Sequence, residues 1–227
     1  MKHGDEPEER PEKPQRDPAQ RGPTFAECFR FPLASPGARR DLLVGGTLLF
    51  TLLIGWIFNL GHRLDVIYRL SHDEPPYFRG FAPWGATFRR GLQAAGAIAL
   101  YLAPSIALGA LAVAWRSGVL GALSAALFIL AVFVLPGGMT YNAACRDMSY
   151  LYRPDRALRR AVGGGRAYLR AWLIGLSAIG LSFLGVLAAG VGFFYTSVWA
   201  WSVVGYAFSR ALLPLTPPPA PRRCPPA

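Results

Sequence analysis

The sequence predicts an all-α integral membrane protein, a polytopic helical bundle with about four full crossings and a re-entrant first apolar segment. Two stretches support this fold class. The fifty-five residues from Gly91 to Cys145 contain one charge, that of Arg116, and the thirty-nine residues from Ala171 to Ser209 contain none. Even buried helices of soluble proteins keep ionisable residues on a wet face, so uncharged stretches of this length indicate a bilayer.

Two tails are predicted to be disordered, residues 1–23 and 214–227, on either side of a helical membrane domain at 24–213. The first tail mixes acids, arginine and proline without periodicity, and the second has seven prolines in fourteen residues. Segments of this composition bury too little apolar surface to offset the entropy that folding removes.

The first apolar segment covers residues 42–61. At 1.5 Å per residue it is long enough to cross a hydrocarbon core of roughly 30 Å. Gly45, Gly46, Thr51 and Gly55 also offer places to turn. The segment therefore either spans the bilayer or enters and leaves through one face, and non-helical backbone at that depth requires cover from other helices.

The second and third segments, 91–115 and 117–145, are separated only by Arg116, which predicts a tight helical hairpin. The last run would measure about 58 Å as one helix, nearly twice the hydrocarbon thickness. A break at Gly190-Val191-Gly192 gives two crossings, 171–189 and 193–209. The alternative is one span followed by an interfacial segment with an aromatic belt.

Charge placement favours the re-entrant first segment. If that segment spans, the best division of the 24 Lys and Arg residues is fifteen inside and nine outside; if it re-enters, the division is twenty-three to one, with Arg116 alone outside. Positive charge concentrates on the cytoplasmic side of membrane proteins. We therefore expect a multi-pass protein of the cytoplasmic membrane with both termini cytoplasmic, and cytoplasmic amphipathic helices at 62–70 and 150–170.

Three short motifs open the ordered part predicted from the sequence: an aromatic-Arg-aromatic-Pro element, a basic pair and an apolar Gly-Gly run, here Phe29-Arg30-Phe31-Pro32, Arg39-Arg40 and Leu42-Leu43-Val44-Gly45-Gly46. Their order resembles the opening of a prokaryotic family of polytopic membrane proteins known as domain of unknown function 4013. The resemblance covers about residues 26–210 and implies a membrane fold but no activity.

Two groups of residues are candidates for function. Cations in the amphipathic segments can contact anionic lipid, each contributing roughly 1 kcal/mol near an acidic leaflet, or can recognise a partner; the alternative is that they only set topology. This group is Arg63, Arg69, Arg156, Arg159, Arg160, Arg166 and Arg170. The second group comprises candidate helix breaks or cavity positions, which either line a substrate path or merely bend a helix: Pro104, Pro136, Gly137 and Asn142.

Catalytic, cofactor and metal sites are not predicted. The apolar runs carry no acid for proton-coupled transport, the acids and histidines between 62 and 74 follow no metal-ligand spacing, and no nucleophile motif occurs. Nucleic acid is not an expected partner, because the basic surplus flanks membrane segments. A stripe of small residues (Ala95, Ala99, Ala103, Ala107) suits packing within one chain or in a homo-oligomer.

The function expected from the sequence is a non-catalytic membrane module that binds lipid or a partner protein. The main alternative is a transporter of small molecules or lipids, or a subunit of one. An enzyme is the third class.

Overall fold

The computed structural model describes residues 22–72, 74–76, 84–188 and 190–213, and all regular structure in these ranges is helical. The predicted tails fall mostly outside them; of the first tail, Gly22 and Pro23 are described, and Pro23 is fully buried. The helices are α1 (Phe25–Arg30), α2 (Pro36–Leu49), α3 (Leu53–Ser71), α4 (Trp84–Ala114), α5 (Gly118–Cys145), α6 (Ser149–Tyr152), α7 (Pro154–Gly163), α8 (Gly165–Ser182) and α9 (Val191–Leu212), with short 3₁₀ turns at Phe31–Leu33 and Phe183–Leu187.

Helices α4 and α5 form the hairpin predicted around Arg116. That residue adopts a left-handed conformation with φ 49°, and the Ser117 hydroxyl caps α5 by accepting a 3.4 Å hydrogen bond from the Leu120 amide. Inside the hairpin the Ser124 hydroxyl donates to the Ser105 carbonyl at 2.8 Å. Both limbs are mainly apolar and leave large apolar side chains exposed, as lipid-facing helices do.

Helices α8 and α9 form a second hairpin, so the last run is broken at Gly190 as predicted. Gly190 has φ 77°, a conformation that glycine adopts without strain. The limbs meet closely beside this turn, since a Cβ added to Gly185 would lie 2.7 Å from the Gly192 carbonyl carbon. Three helical segments of the described chain are long and apolar enough to cross a membrane, namely Trp84–Ala114, Gly118–Cys145 and Gly165–Leu187. A fourth crossing by α9 stays a prediction.

The segment 42–61 is a helical hairpin rather than one continuous helix. Helix α2 ends at Leu49, the chain turns through Phe50–Leu52 with Leu52 at φ 51°, and α3 begins at Leu53. Its two ends come together, because the His62 imidazole lies 3.5 Å from the Asp41 carboxylate. The Asn59 side-chain amide joins the limbs by donating to the Gly45 carbonyl at 3.1 Å and to the Gly55 carbonyl at 2.9 Å.

The aromatic-Arg-aromatic-Pro element anchors the N-terminal helix to α9. Phe29 meets the edge of Trp199 with ring centroids 5.2 Å apart, and Phe31 stacks on Tyr206 at 4.3 Å. Pro32, in the same element, is buried. The element therefore holds the start of the described chain against α9.

Two clusters of buried side chains hold the helices together. The larger one lies between α8 and α9 and includes Tyr168, Ile174, Val203 and Phe208. The smaller one joins α3, α4 and α5 and includes Leu60, Leu64, Ile67, Ala94 and Ala143.

Helices α3 and α4 cross at two glycines. A Cβ on Gly61 would lie 1.9 Å from the Thr87 carbonyl oxygen, and a Cβ on Gly91 would lie 1.8 Å from the Ile57 carbonyl oxygen. This close approach brings the polar ends of α3, α4 and α5 together.

Candidate functional site

An ionic cluster around the buried Asp65 carboxylate joins α3, α4 and α5. The Asp65 carboxylate accepts hydrogen bonds from the Thr87 hydroxyl at 2.9 Å, from Arg146 at 3.2 Å and from Arg90. The side chain of Asp65 is 12% exposed, compared with 29% for Arg90 and 37% for Arg146. Two arginines against one carboxylate leave the Asp65 cluster (Asp65, Thr87, Arg90, Arg146) with a net positive charge.

Arg146 occupies an unusual position at the end of α5. Its backbone is left-handed, with φ 55°, and its amide closes the helix on the Asn142 carbonyl at 2.8 Å. The guanidinium lies 4.0 Å from the Tyr68 ring centroid, an arrangement that favours a cation. Burial, followed by the charge of Arg90, lowers the pKa of Arg146, whereas Asp65 raises it.

A polar cavity of about 190 Å³ borders the Asp65 cluster. Its wall includes His62, Arg69 and Glu74 in addition to the residues of the cluster. Arg69 was predicted from the sequence as a lipid or partner contact, and the structure places it beside this cavity. Among the described residues that line the cavity, cations outnumber acids, and this lining suits an anion better than a cation.

A larger cavity, of about 480 Å³, opens between the α2–α3 hairpin and α9. We call it the apolar groove. One wall follows a single face of α3 through Trp56, Asn59 and Arg63, and the facing wall belongs to α9. Leu52 and Leu53 lie at one end with Phe193 and Phe194, while Arg63, Trp201 and Ser202 lie at the other.

Arg63 is the cation of the apolar groove. Its side-chain stem packs against α9, where a Cβ added to Gly205 would lie 3.1 Å from the stem carbons. Its guanidinium lies 4.5 Å from the Trp201 ring centroid. Among the described residues no carboxylate is within ion-pair distance of Arg63. The groove is thus apolar along its length and positively charged at one end.

Two of the predicted arginines of α7 make contacts within the chain. Arg160 lies over the rings of Tyr141 and Tyr150, at 4.6 and 5.6 Å from their centroids, and Arg156 donates to the Ser149 hydroxyl at 2.6 Å. Both side chains are only partly exposed. They therefore hold α7 against α5 and α6, and the prediction that they contact lipid or a partner remains a prediction.

The other predicted arginines of this region face outward with apolar neighbours. Arg159 is 63% exposed and pairs with the exposed Asp155 at 3.2 Å, and Arg166 and Arg170 are exposed on the first turns of α8. Four large apolar side chains are exposed in the same stretch: Leu158, Val162, Leu169 and Leu173, at 41%, 67%, 55% and 61%. We call these seven residues the α7–α8 arginine strip.

The predicted helix-break positions lie away from both cavities. Helices α4 and α5 continue through Pro104 and Pro136, so neither proline interrupts its helix. Gly137 accommodates α7, because a Cβ there would lie 3.0 Å from the Ala157 carbonyl oxygen. Asn142 is buried and donates its side-chain amide to the Asp147 carbonyl at 3.0 Å, an interaction that supports the turn after α5.

The sequence prediction did not identify the Asp65 cluster or the apolar groove. In the sequence Asp65 was placed in an amphipathic segment and among acids and histidines that follow no metal-ligand spacing, since its partners are 22, 25 and 81 residues away. One available signal was Gly61, which lies four residues before Asp65 on the same face of α3 and leaves room for another helix to approach. Within the described ranges no three His, Cys, Asp or Glu side chains come together to hold a metal ion.

Comparison with known proteins gave no relative: the chain matches no protein-family model, no curated protein and no solved structure.

Proposed function

We propose that this chain is a non-catalytic module of the cytoplasmic membrane that binds acidic lipid, with the α7–α8 arginine strip as its principal contact. The observation that supports the proposal is the alternation of exposed cations and exposed apolar side chains at the start of an apolar helix. Arg166 and Arg170 share the first turns of α8 with Leu169 and Leu173.

The α7–α8 arginine strip combines two kinds of side chain that favour different layers of a bilayer. Exposed leucine and valine favour hydrocarbon, and a guanidinium favours the headgroup layer, so a helix that presents both lies at the border between the two. Lysine and arginine at an acidic leaflet gain roughly 1 kcal/mol each. Three such cations would make the surroundings of α7 and α8 selective for acidic lipid.

The membrane arrangement belongs to the same proposal. The ends of segment 42–61 meet at Asp41 and His62, which supports entry and exit through one face of the bilayer. The polar ends of α3, α4, α5 and α8 then share the cytoplasmic side, with the turn at Arg116 on the opposite side. Four full crossings follow if α9 crosses beside α8.

Spin-labelled lipids test the proposed function in reconstituted vesicles. The wild-type protein is expected to immobilise labelled phosphatidylglycerol in preference to labelled phosphatidylcholine, and added salt should reduce that preference. Changing Arg159, Arg166 and Arg170 together to Gln should remove most of the preference, whereas Arg116→Gln at the opposite turn should preserve it. A preference that persists in the triple variant would contradict the proposal and favour a protein partner for the strip.

The transporter alternative has weaker support. It predicts a water-accessible path near the helix-break positions, and the described cavities are lined by other residues. Transport stays a prediction from the sequence.

A further inference from the structure

We infer that the apolar groove between the α2–α3 hairpin and α9 holds one acyl chain of an acidic phospholipid, whose headgroup binds Arg63. This inference rests on the proposed lipid-binding function and adds a second, enclosed site to the surface contact at the arginine strip. The two sites lie on different helices, so they can be tested separately.

The charge of the groove selects the headgroup. Arginine stays protonated at every physiological pH, and a cation that is partly removed from water needs an anion or a dipole close to it. The neighbouring acids are already engaged: Asp41 pairs with His62, and Asp65 binds Arg90 and Arg146. Arg63 instead lies on the Trp201 ring, which offers only a weak substitute for an anion. An acidic headgroup therefore complements the charge at this end of the groove.

The walls of the groove select the tail. From Leu53 to Arg63 the groove follows eleven residues of α3, and the ten steps between these two residues cover about 15 Å at 1.5 Å per residue. Half of a hydrocarbon core is also roughly 15 Å, which is the depth of one leaflet. Trp56 and Val198 line the middle, and Phe193 and Phe194 line the far end. An acyl chain that starts at Arg63 thus runs alongside the hairpin to its turn.

The surroundings favour a bilayer phospholipid as the source of the chain. The hairpin turn beside the far end of the groove exposes large apolar side chains: Phe50, Leu52, Leu53 and Ile54 are 49%, 71%, 66% and 64% exposed. Such a turn is stable in hydrocarbon rather than in water. Lipids of the surrounding leaflet therefore have direct access to the groove, whereas a ligand from the aqueous phase has to cross the headgroup layer.

Retention of lipid through purification tests the inference. The full-length protein, purified in a mild detergent, is incubated with phosphatidylglycerol, phosphatidylcholine or oleate carrying matched acyl chains, and bound lipid is counted by native mass spectrometry. We expect one retained phosphatidylglycerol and little phosphatidylcholine. Arg63→Gln should weaken retention by at least about tenfold, since it removes a charge-assisted hydrogen bond, and Arg116→Gln should have no effect.

A second variant keeps the test decisive if Arg63→Gln unfolds the protein. Ser197→Phe fills the middle of the groove without altering the charge of Arg63, and it should abolish retention while preserving the thermal unfolding transition. Retention of phosphatidylglycerol by Ser197→Phe, equal retention of phosphatidylcholine, or preferential retention of oleate would each overturn the inference.

The spin-label and retention experiments test the two proposed lipid sites independently. The groove variants should leave the spin-label preference at the protein boundary unchanged, and the triple strip variant should still retain one phosphatidylglycerol. A wild-type protein that retains one phosphatidylglycerol but shows no boundary preference for it would disprove the strip and leave the groove standing. A wild-type protein that shows the boundary preference but retains no phosphatidylglycerol would disprove the groove alone.

Discussion

The side chains of Asp41 and His62 lie 3.5 Å apart although twenty uncharged residues separate them in the sequence. The intervening chain runs out along α2, turns at Phe50–Leu52 and returns along α3. Two residues in contact occupy the same side of any bilayer. The contact therefore predicts that the segment 42–61 enters and leaves the bilayer through the same face.

That expectation is checked with protease sites inserted after Pro75 and after Ser117. Both positions lie outside regular helices, and Pro75 is exposed. Cleavage after Pro75 should require access from the same, cytoplasmic face as cleavage at Ala34, because re-entry returns the chain to the side from which it entered, and cleavage after Ser117 should require access from the opposite face, because α4 crosses between the two turns. The same site inserted at Ala34, before α2, serves as a reference for the cytoplasmic face. Cleavage at Ala34 and after Pro75 from opposite faces would refute the re-entrant arrangement, because a first segment that spans the bilayer separates these two positions.

Asp65→Asn is expected to destabilise the protein. The change removes the carboxylate that holds Arg90 and Arg146 together and leaves two guanidinium groups facing each other. Breaking a buried pair typically costs about 3–5 kcal/mol, and the lower end applies here because both arginines are partly exposed. Thermal unfolding in detergent measures the loss. Glu74→Gln, at the exposed rim of the same cavity, is the matched control and should change the transition little.

Gly91→Ala should disrupt the crossing of α3 and α4. The added methyl would lie 1.8 Å from the Ile57 carbonyl oxygen, and a backbone atom of a packed helix cannot move aside cheaply. We expect a loss of at least about 3 kcal/mol in the free energy of unfolding, at the upper end of overpacking effects. Gly85→Ala on the same helix has open space around its Cβ and should raise helix stability slightly. Equal unfolding temperatures for the two variants would contradict the close approach.

The turn after α5 should loosen in acid. The Ser149 amide and hydroxyl each donate to the Asp147 carboxylate at 2.8 Å, and these hydrogen bonds lower the pKa of Asp147. A carboxyl whose pKa is lowered by folding stabilises the fold above its unfolded pKa, near 4, and loses that contribution as pH falls through the folded value. Asp147→Asn should therefore accelerate amide exchange of Leu151 and Tyr152 about fivefold at pH 7. The difference between variant and wild type should shrink as the pH falls below the unfolded pKa and vanish once Asp147 is protonated in the folded protein.

Sequence reasoning located the helices well, because the apolar runs and their breaks are local properties. The turn at Arg116 is fixed by a charge between two apolar runs, and the break at Gly190 by a run too long for one crossing and by glycines in its middle. These features need no knowledge of neighbouring helices. The structure confirms both hairpins.

The side chains around the candidate sites were harder to predict, because their partners come from distant parts of the chain. The sequence predicted Arg156 and Arg160 as lipid or partner contacts of an amphipathic segment, yet Ser149, Tyr141 and Tyr150 contact them once α7 packs on α5. The sequence showed Arg63 as one cation of an amphipathic helix. Its position over the Trp201 ring, away from any carboxylate of the described chain, depends on where α9 lies. Periodicity predicts which face a residue occupies but not what faces it.

The bridge that Asn59 makes between the two limbs of the first hairpin bears on how this segment enters the bilayer. In hydrocarbon, separating α2 from α3 would strip the amide of an acceptor that lipid cannot replace. Insertion of the limbs one after the other would pass through that unsatisfied state. If α2 and α3 pair at the headgroup layer and then insert together, the Asn59 amide keeps its acceptor throughout. The turn of such a hairpin would remain in the leaflet through which it entered.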